Sequence, residues 1–262
     1  PSATSIRWEH GFEYAPRQPA PGSRRSFIAA AGVFIASTAL RATTNTFEKT
    51  KGPRYGMVID LTRCIGCQSC TMNCAMENNV QAGAFRTIVS EYEASDKDGN
   101  RAVIASLPRL CNHCENPACI DVCPTGASYQ RNSGIVKVNS AECIGCALCA
   151  EACPYHARYL SLQTYKVDKC TFCDHRLRAG LLPACVETCV GGSRIIGDLN
   201  DENSNIRKFL AAHETMVLDS PKNTHPQVFY HGVSEILAKN DKELLSQKGY
   251  KQAISWSEEI AL

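Results

Sequence analysis

The chain has 262 residues, sixteen of them cysteine, and a net charge of +2 at pH 7. That length suits one large domain or two small ones and needs no disulfide staples to fold. Charged residues at 21% and aromatics at 7% are ordinary globular values, which excludes a disordered chain. The balanced charge argues against a nucleic-acid partner. The longest uncharged, largely apolar run, Ser26–Leu40, has 15 residues, short for a membrane-crossing helix.

In chain order, residues 1–23 form an N-terminal extension. Ser23–Arg24–Arg25–Ser26–Phe27 then stands directly before IAAAGVFIASTAL. Paired arginines ahead of a modest apolar stretch match the twin-arginine export signal. The plainer alternative is two surface arginines before a short core helix. Residues 24–42 are read as this signal or as an anchor. The best small-x-small cleavage candidate is Ser37–Thr38–Ala39, and Leu40 and Arg41 spoil the next. The segment is therefore expected to stay, as an anchor or docking helix.

Tyr55–Cys74 reads YGMVIDLTRCIGCQSCTMNC, a short apolar strand, a polar turn and a first group of cysteines: Cys64, Cys67, Cys70 and Cys74. Between Ile88 and Leu107 the polar stretch Glu91–Arg101, with Asp98–Gly99 as turn signal, predicts an inserted hairpin. The second group is Cys111, Cys114, Cys119 and Cys123. Ile135–Cys153 repeats the strand, turn and CIGC order and carries the third group, Cys143, Cys146, Cys149 and Cys153. The fourth is Cys170, Cys173, Cys185 and Cys189. Groups two and four share NPACIDVC and LPACVETC. Beyond residue 200, helical pattern is predicted at Ile206–His213 and Val233–Ser246, and a strand at Gln227–Tyr230. This 201–262 extension is expected to pack on the core or a partner.

Groups one and three read C-x2-C-x2-C-x3-C, the run of bacterial ferredoxins. Two intervening residues let a short loop wrap a cubane and present three thiolates. A helix starting near the third cysteine would put the fourth about one turn away, roughly 5 Å, and so towards a neighbouring cluster. Disulfides fit poorly among three cysteines packed within seven residues. Zinc knuckles pair C-x2-C without a third cysteine at that interval. Gly66, Gly126 and Gly145 are placed where the backbone must turn tightly, and Ile65 and Ile144 are expected to shield the clusters. His113, His156 and His175 are read as packing or interface residues rather than proton carriers. The fold class is α+β, two ferredoxin-like units over residues 54–200.

Four such groups, with LCNHCENPACIDVCP and KCTFCDHRLRAGLLPACVETC, resemble the four-cluster electron-transfer subunits of complex iron–sulfur molybdoenzymes. CTFCDHRLRAGLLPACVETCVGGSRIIGD and PQVFYHG look most like the tetrathionate reductase branch. The resemblance implies four [4Fe–4S] clusters with nested ligation. Cys64, Cys67, Cys70 and Cys189 would hold one, and Cys74, Cys170, Cys173 and Cys185 a second. Cys111, Cys114, Cys119 and Cys153 would hold the third, and Cys123, Cys143, Cys146 and Cys149 the fourth. Groups one and four lack the family's trailing proline, having Ala75 and Val190. The implied role is a non-catalytic relay of single electrons. Its partners would be a molybdopterin-type catalytic subunit, an integral membrane quinone-reactive subunit and in some complexes a cytochrome c subunit. The setting would be anaerobic respiration at the periplasmic side of the membrane. A complex without molybdenum, of the sulfite-metabolism or nitrite-reductase-associated kind, is the alternative, and a zinc-binding module is the alternative from another class.

Overall fold

The computed structural model describes residues 52–95, 102–218 and 223–232, all within a unit that begins at Phe47. Asp98–Gly99, the segment 24–42 and the pattern at Val233–Ser246 lie outside the described residues. No helix among the described residues is long and apolar enough to cross a membrane.

The strand Tyr55–Asp60 (β1) is the centre of the fold. Its apolar run is continuous rather than alternating, as befits a strand covered on both faces. Met57, Val58 and Ile59 are all fully buried. β1 pairs antiparallel with Arg194–Asp198 (β8) and parallel with Val228–His231 (β10), which in turn pairs with Thr215–Met216 (β9). The sheet order is thus β8-β1-β10-β9. The predicted strand at 227–230 is present, and it lies beside β1, so the tail completes the core sheet. Helix α6, Asn205–Ala212, covers this sheet; Ser204 caps it by accepting from the Arg207 N–H. Ile206 is its fully buried contact.

Three two-stranded hairpins complete the α+β fold. The inserted one pairs Thr87–Ser95 (β2) with Ala102–Leu110 (β3), opposing Ser90 to Leu107. The other two are β4–β5 (Ser128–Gln130, Val136–Val138) and β6–β7 (Arg158–Leu160, Val167–Lys169).

Each cysteine group supplies a helix: α1 (Ser69–Asn78), α2 (Ala118–Asp121), α3 (Leu148–Glu151) and α5 (Ala184–Glu187). The expected helix through Cys149 and Cys153 is shorter than its spacing suggested, because α3 ends at Glu151. α5 stops at the same interval before Cys189, with Val190 and no proline after it; in both groups the backbone turns left-handed three residues after the last cysteine, at His156 and Gly192. In group one, with Ala75 after Cys74, α1 runs on to Asn78. α1 packs on α5 and α2 on α3, so groups one and four form one half and groups two and three the other. The half-buried α4, Asp174–Arg178, is tied to the second half by Asp174, which takes Lys137 Nζ at 2.7 Å and Arg131 Nη1 at 3.1 Å.

Tyr230 makes β10 part of the core: it is fully buried and its hydroxyl donates to Pro108 O at 3.0 Å. Tyr230→Phe should cost about 1 kcal/mol, and Tyr230→Ala about 3–5 kcal/mol. Denaturant unfolding of the two variants checks this; an unchanged midpoint for Tyr230→Ala would mean that the tail strand does not support the core.

Candidate functional site

Four small cavities are lined by the sixteen cysteines. Site I is lined by Cys64, Cys67, Cys70 and Cys189. Site II is lined by Cys74, Cys170, Cys173 and Cys185. Cys111, Cys114, Cys119 and Cys153 line site III, and Cys123, Cys143, Cys146 and Cys149 line site IV. Each site takes three cysteines from one group and one from another. Every pair of cysteines four residues apart (70 and 74, 119 and 123, 149 and 153, 185 and 189) is divided between two sites. Two of these helical turns join sites I and II, and two join sites III and IV.

The loops curl around the sites through left-handed residues. The second residue after the first cysteine of each group has positive φ: Gly66 (69°), His113 (43°), Gly145 (74°) and Phe172 (50°). At Gly145 a side chain is also excluded by space, since a Cβ would lie 2.2 Å from Tyr165 O. His113 and Phe172 carry the strain of a left-handed non-glycine residue by packing on each other, ring centroids 3.8 Å apart, where both are buried. A second left-handed position comes three residues after the last cysteine, at Gly126, His156 and Gly192. After that turn the backbone points back at sulfur: Ser128 N–H donates to Cys123 Sγ at 3.3 Å and Ser193 N–H to Cys189 Sγ at 3.2 Å. In site II the Asn78 amide reaches both Cys74 Sγ (3.7 Å) and Cys173 Sγ (3.6 Å). Arg86 holds Asn78 from behind at 2.8 Å while forking onto Asp168.

Burial and mutual repulsion make several of these thiols hard to ionise on their own, whereas at Cys123 burial is outweighed by hydrogen bonds from Ser128 and Thr125, which hold the thiol below its usual value. Burial, with repulsion from Cys185 and Cys173, pushes the Cys74 thiol up to about 12. Burial likewise lifts Cys114 and Cys119 to about 12, and raises Cys153, Cys170 and Cys185. Such a set becomes thiolate only when a strong positive charge is placed among it. The sixteen are free, without disulfides. No three Cys, His, Asp or Glu side chains among the described residues approach closely enough for a single metal ion. Four thiols spread around a cavity suit a cluster and not a lone zinc. The Nη1 of Arg194, buried and without a hydrogen-bond partner, also needs a negative neighbour.

The comparisons with known proteins agree. Two matches to the 4Fe-4S dicluster domain family cover residues 63–127 and 102–199. A tetrathionate reductase subunit from Salmonella typhimurium is 48% identical over 223 residues, 81% of this chain and 89% of the relative. The chain belongs to the family of iron–sulfur electron-transfer subunits of reductase complexes. The thiosulfate reductase electron transfer subunit PhsB of Salmonella typhi is 44% identical over 62% of this chain and 83% of its own. The arsenate respiratory reductase iron–sulfur subunit ArrB of Shewanella is 36% identical over 68% and 95%. As a member of this family the chain carries four [4Fe–4S] clusters and relays electrons without transforming a substrate itself.

Some residues stand where the sequence placed them, and others were not anticipated. Ile65 and Ile144 line sites I and IV at their rims, 66% and 63% exposed, between the site and solvent. His113 is core packing, its Nδ1 accepting the Val136 N–H at 3.0 Å. His175 pairs with Glu77 at the surface at 2.7 Å. Three buried cations, Arg158, Lys169 and Arg194, lie against the sites and were not foreseen. The only signal for the arginines is that each stands five residues after the last cysteine of its group.

A thiol whose iron-free pKa is raised binds its proton more tightly, so protons displace iron from it at a higher pH than from an ordinary cysteine. Anaerobic loss of the visible absorption should therefore accelerate as pH falls, with its onset on the acid side of neutrality. Loss that slows on acidification would contradict the thiolate assignment.

Proposed function

We propose that sites I to IV are the ligand sets of the four clusters and that the chain is the electron relay of an exported respiratory complex. The observation that carries this reading is the set of four cavities, each lined by four thiols from two groups. Bound clusters supply one-electron redox chemistry. The chain's own residues do the rest. Thiolates fix the iron, and the Ser128 and Ser193 N–H groups and the Asn78 amide donate to ligand sulfur, which favours the reduced state. The paired helical turns hold sites I and II together, and sites III and IV likewise. The order of contacts along the chain of cavities is I, II, III, IV, with exposed apolar residues at both ends: Ile65 and Val190 near site I, Ile144 and Leu148 near site IV.

The 48% identity to a tetrathionate reductase subunit supports a complex of the tetrathionate or polysulfide type. Its catalytic subunit would carry molybdopterin, and an integral membrane subunit would exchange electrons with quinone. Arg24–Arg25 supports export through the twin-arginine route, which carries folded, cofactor-loaded cargo and places the complex on the outer face of the membrane.

Anaerobic isolation of the complex from membranes tests this reading. A molybdenum-containing large subunit and a membrane subunit should co-purify, with iron and acid-labile sulfide each close to sixteen per chain. Replacing Arg24 and Arg25 by lysine should leave the protein in the cytoplasmic fraction. Zinc as the main metal, half the iron, or normal export of the lysine pair would overturn the corresponding part.

A further inference from the structure

Three buried cations lie at the three junctions between neighbouring sites. Arg194, 3% exposed, lines site I, donates through Nη2 to Cys70 Sγ at 3.3 Å, and through the same nitrogen to Thr87 Oγ1 at 2.9 Å. Thr87 is part of the wall of site II. Arg158, 6% exposed, repeats the arrangement in the other half. Its Nη2 donates to Cys119 Sγ of site III at 2.8 Å, and its Nη1 to Ser128 Oγ of the site IV wall at 2.7 Å. Lys169, 1% exposed, joins the halves. Its Nζ donates to Cys170 O, behind site II, at 2.7 Å and to Val136 O, in the wall of site III. The order along the relay is site I, Arg194, site II, Lys169, site III, Arg158, site IV.

The two arginines are equivalents. Each stands five residues after the last cysteine of its group, at Cys153 and Cys189, and each opens the strand that follows. A buried guanidinium with no carboxylate partner is costly, and neither arginine has an ion pair with Asp or Glu among the described residues. Ligand sulfur is the anionic partner each one has. Guanidinium stays charged at any physiological pH, and at these depths salt screens it little.

We propose that Arg194, Lys169 and Arg158 form a series of fixed positive charges, one per junction, that raises the reduction potentials of the clusters on both of its sides. The proposal rests on the assignment of sites I to IV as cluster sites. Adding an electron to a site adds negative charge there, and a buried cation stabilises the reduced form more than the oxidised one. Within this series each inner site adjoins two members and each outer site one; Arg63 in the wall of site I and Arg86 in the wall of site II are further cations that every variant retains. The series therefore lifts sites II and III most, and offsets the repulsion that an electron on one inner site exerts on the next.

The test is a redox titration followed by paramagnetic resonance on the intact complex, with wild type beside Arg194→Gln, Arg194→Lys, Lys169→Met, Arg158→Gln and Arg158→Lys. Iron and sulfide content are measured on each. Wild type must first show four cluster signals and sixteen iron per chain; if it does not, the site assignment fails and the charge series fails with it. Given four signals, Arg194→Gln should lower the potentials of two, Arg158→Gln those of the other two. Lys169→Met should lower one signal from each pair, and the two lysine variants should stay close to wild type. A glutamine variant that fails to load iron while its lysine counterpart loads and titrates as wild type supports the charge as well. Equal shifts in the lysine and glutamine variants, a uniform shift of all four signals, no shift, or failure of both variants at a position to load would overturn the proposal.

Discussion

An interval of four residues separates the last two cysteines of every group, wholly within a helix in group one and from a short helix to just beyond its end in the others, and the rest of the structure is arranged around that interval. Residues four apart lie on one face of a helix yet about 5 Å apart along it. With the earlier cysteines of the group wrapped around one site, the last two are divided between adjacent sites in all four groups. Two such turns running between the same pair of sites, α1 with α5 and α2 with α3, make two halves that each hold two sites. The nesting of the chain follows: the first and fourth groups must meet, so the segment between them folds out as the second half. The core sheet then closes the first half, with β8 emerging directly from the fourth group and β1 leading directly into the first.

Charge is the second constraint. Most of the sixteen sulfurs are buried, and burial pushes the thiols of Cys74, Cys114 and Cys119 up to about 12. The fold answers with donors aimed at sulfur and with cations that would be untenable in an ordinary core. The apolar cluster around site IV consists of little more than Ala127, Val136 and Val167 beside the cysteines, whereas site III shares the main core with Ile135 and Tyr155.

Much of this was legible in the sequence because ligation depends on residue type and interval, both of which are written in the chain. The hairpin between Ile88 and Leu107, the helix near Ile206 and the strand near Tyr230 were legible from local pattern and turn residues. The position of that strand beside β1 was not, because parallel pairing across some 170 residues leaves no local trace. Glycine at 66 and 145 advertised a left-handed turn, while His113 and Phe172 at the same offset did not, their strain being carried by packing. Nothing in the sequence marked Arg158 and Arg194 as buried, since arginine is almost never fully buried unless paired; their partners here are sulfurs, which pairing by opposite side-chain charge does not reveal.

The central claim is that cysteines from separate groups share one cluster, and Cys153 tests it most directly. Cys153 follows Cys149 by one turn but lines site III with Cys111, Cys114 and Cys119, whereas Cys146 and Cys149 line site IV. Serine oxygen is a harder and weaker ligand for cluster iron, so a serine substitution marks the cluster it serves. Redox-poised paramagnetic resonance of Cys153→Ser should alter the signal also altered by Cys111→Ser and leave the signal altered by Cys146→Ser in its native form. If Cys153→Ser and Cys146→Ser alter the same signal, each group encloses its own cluster and the crossed arrangement is wrong.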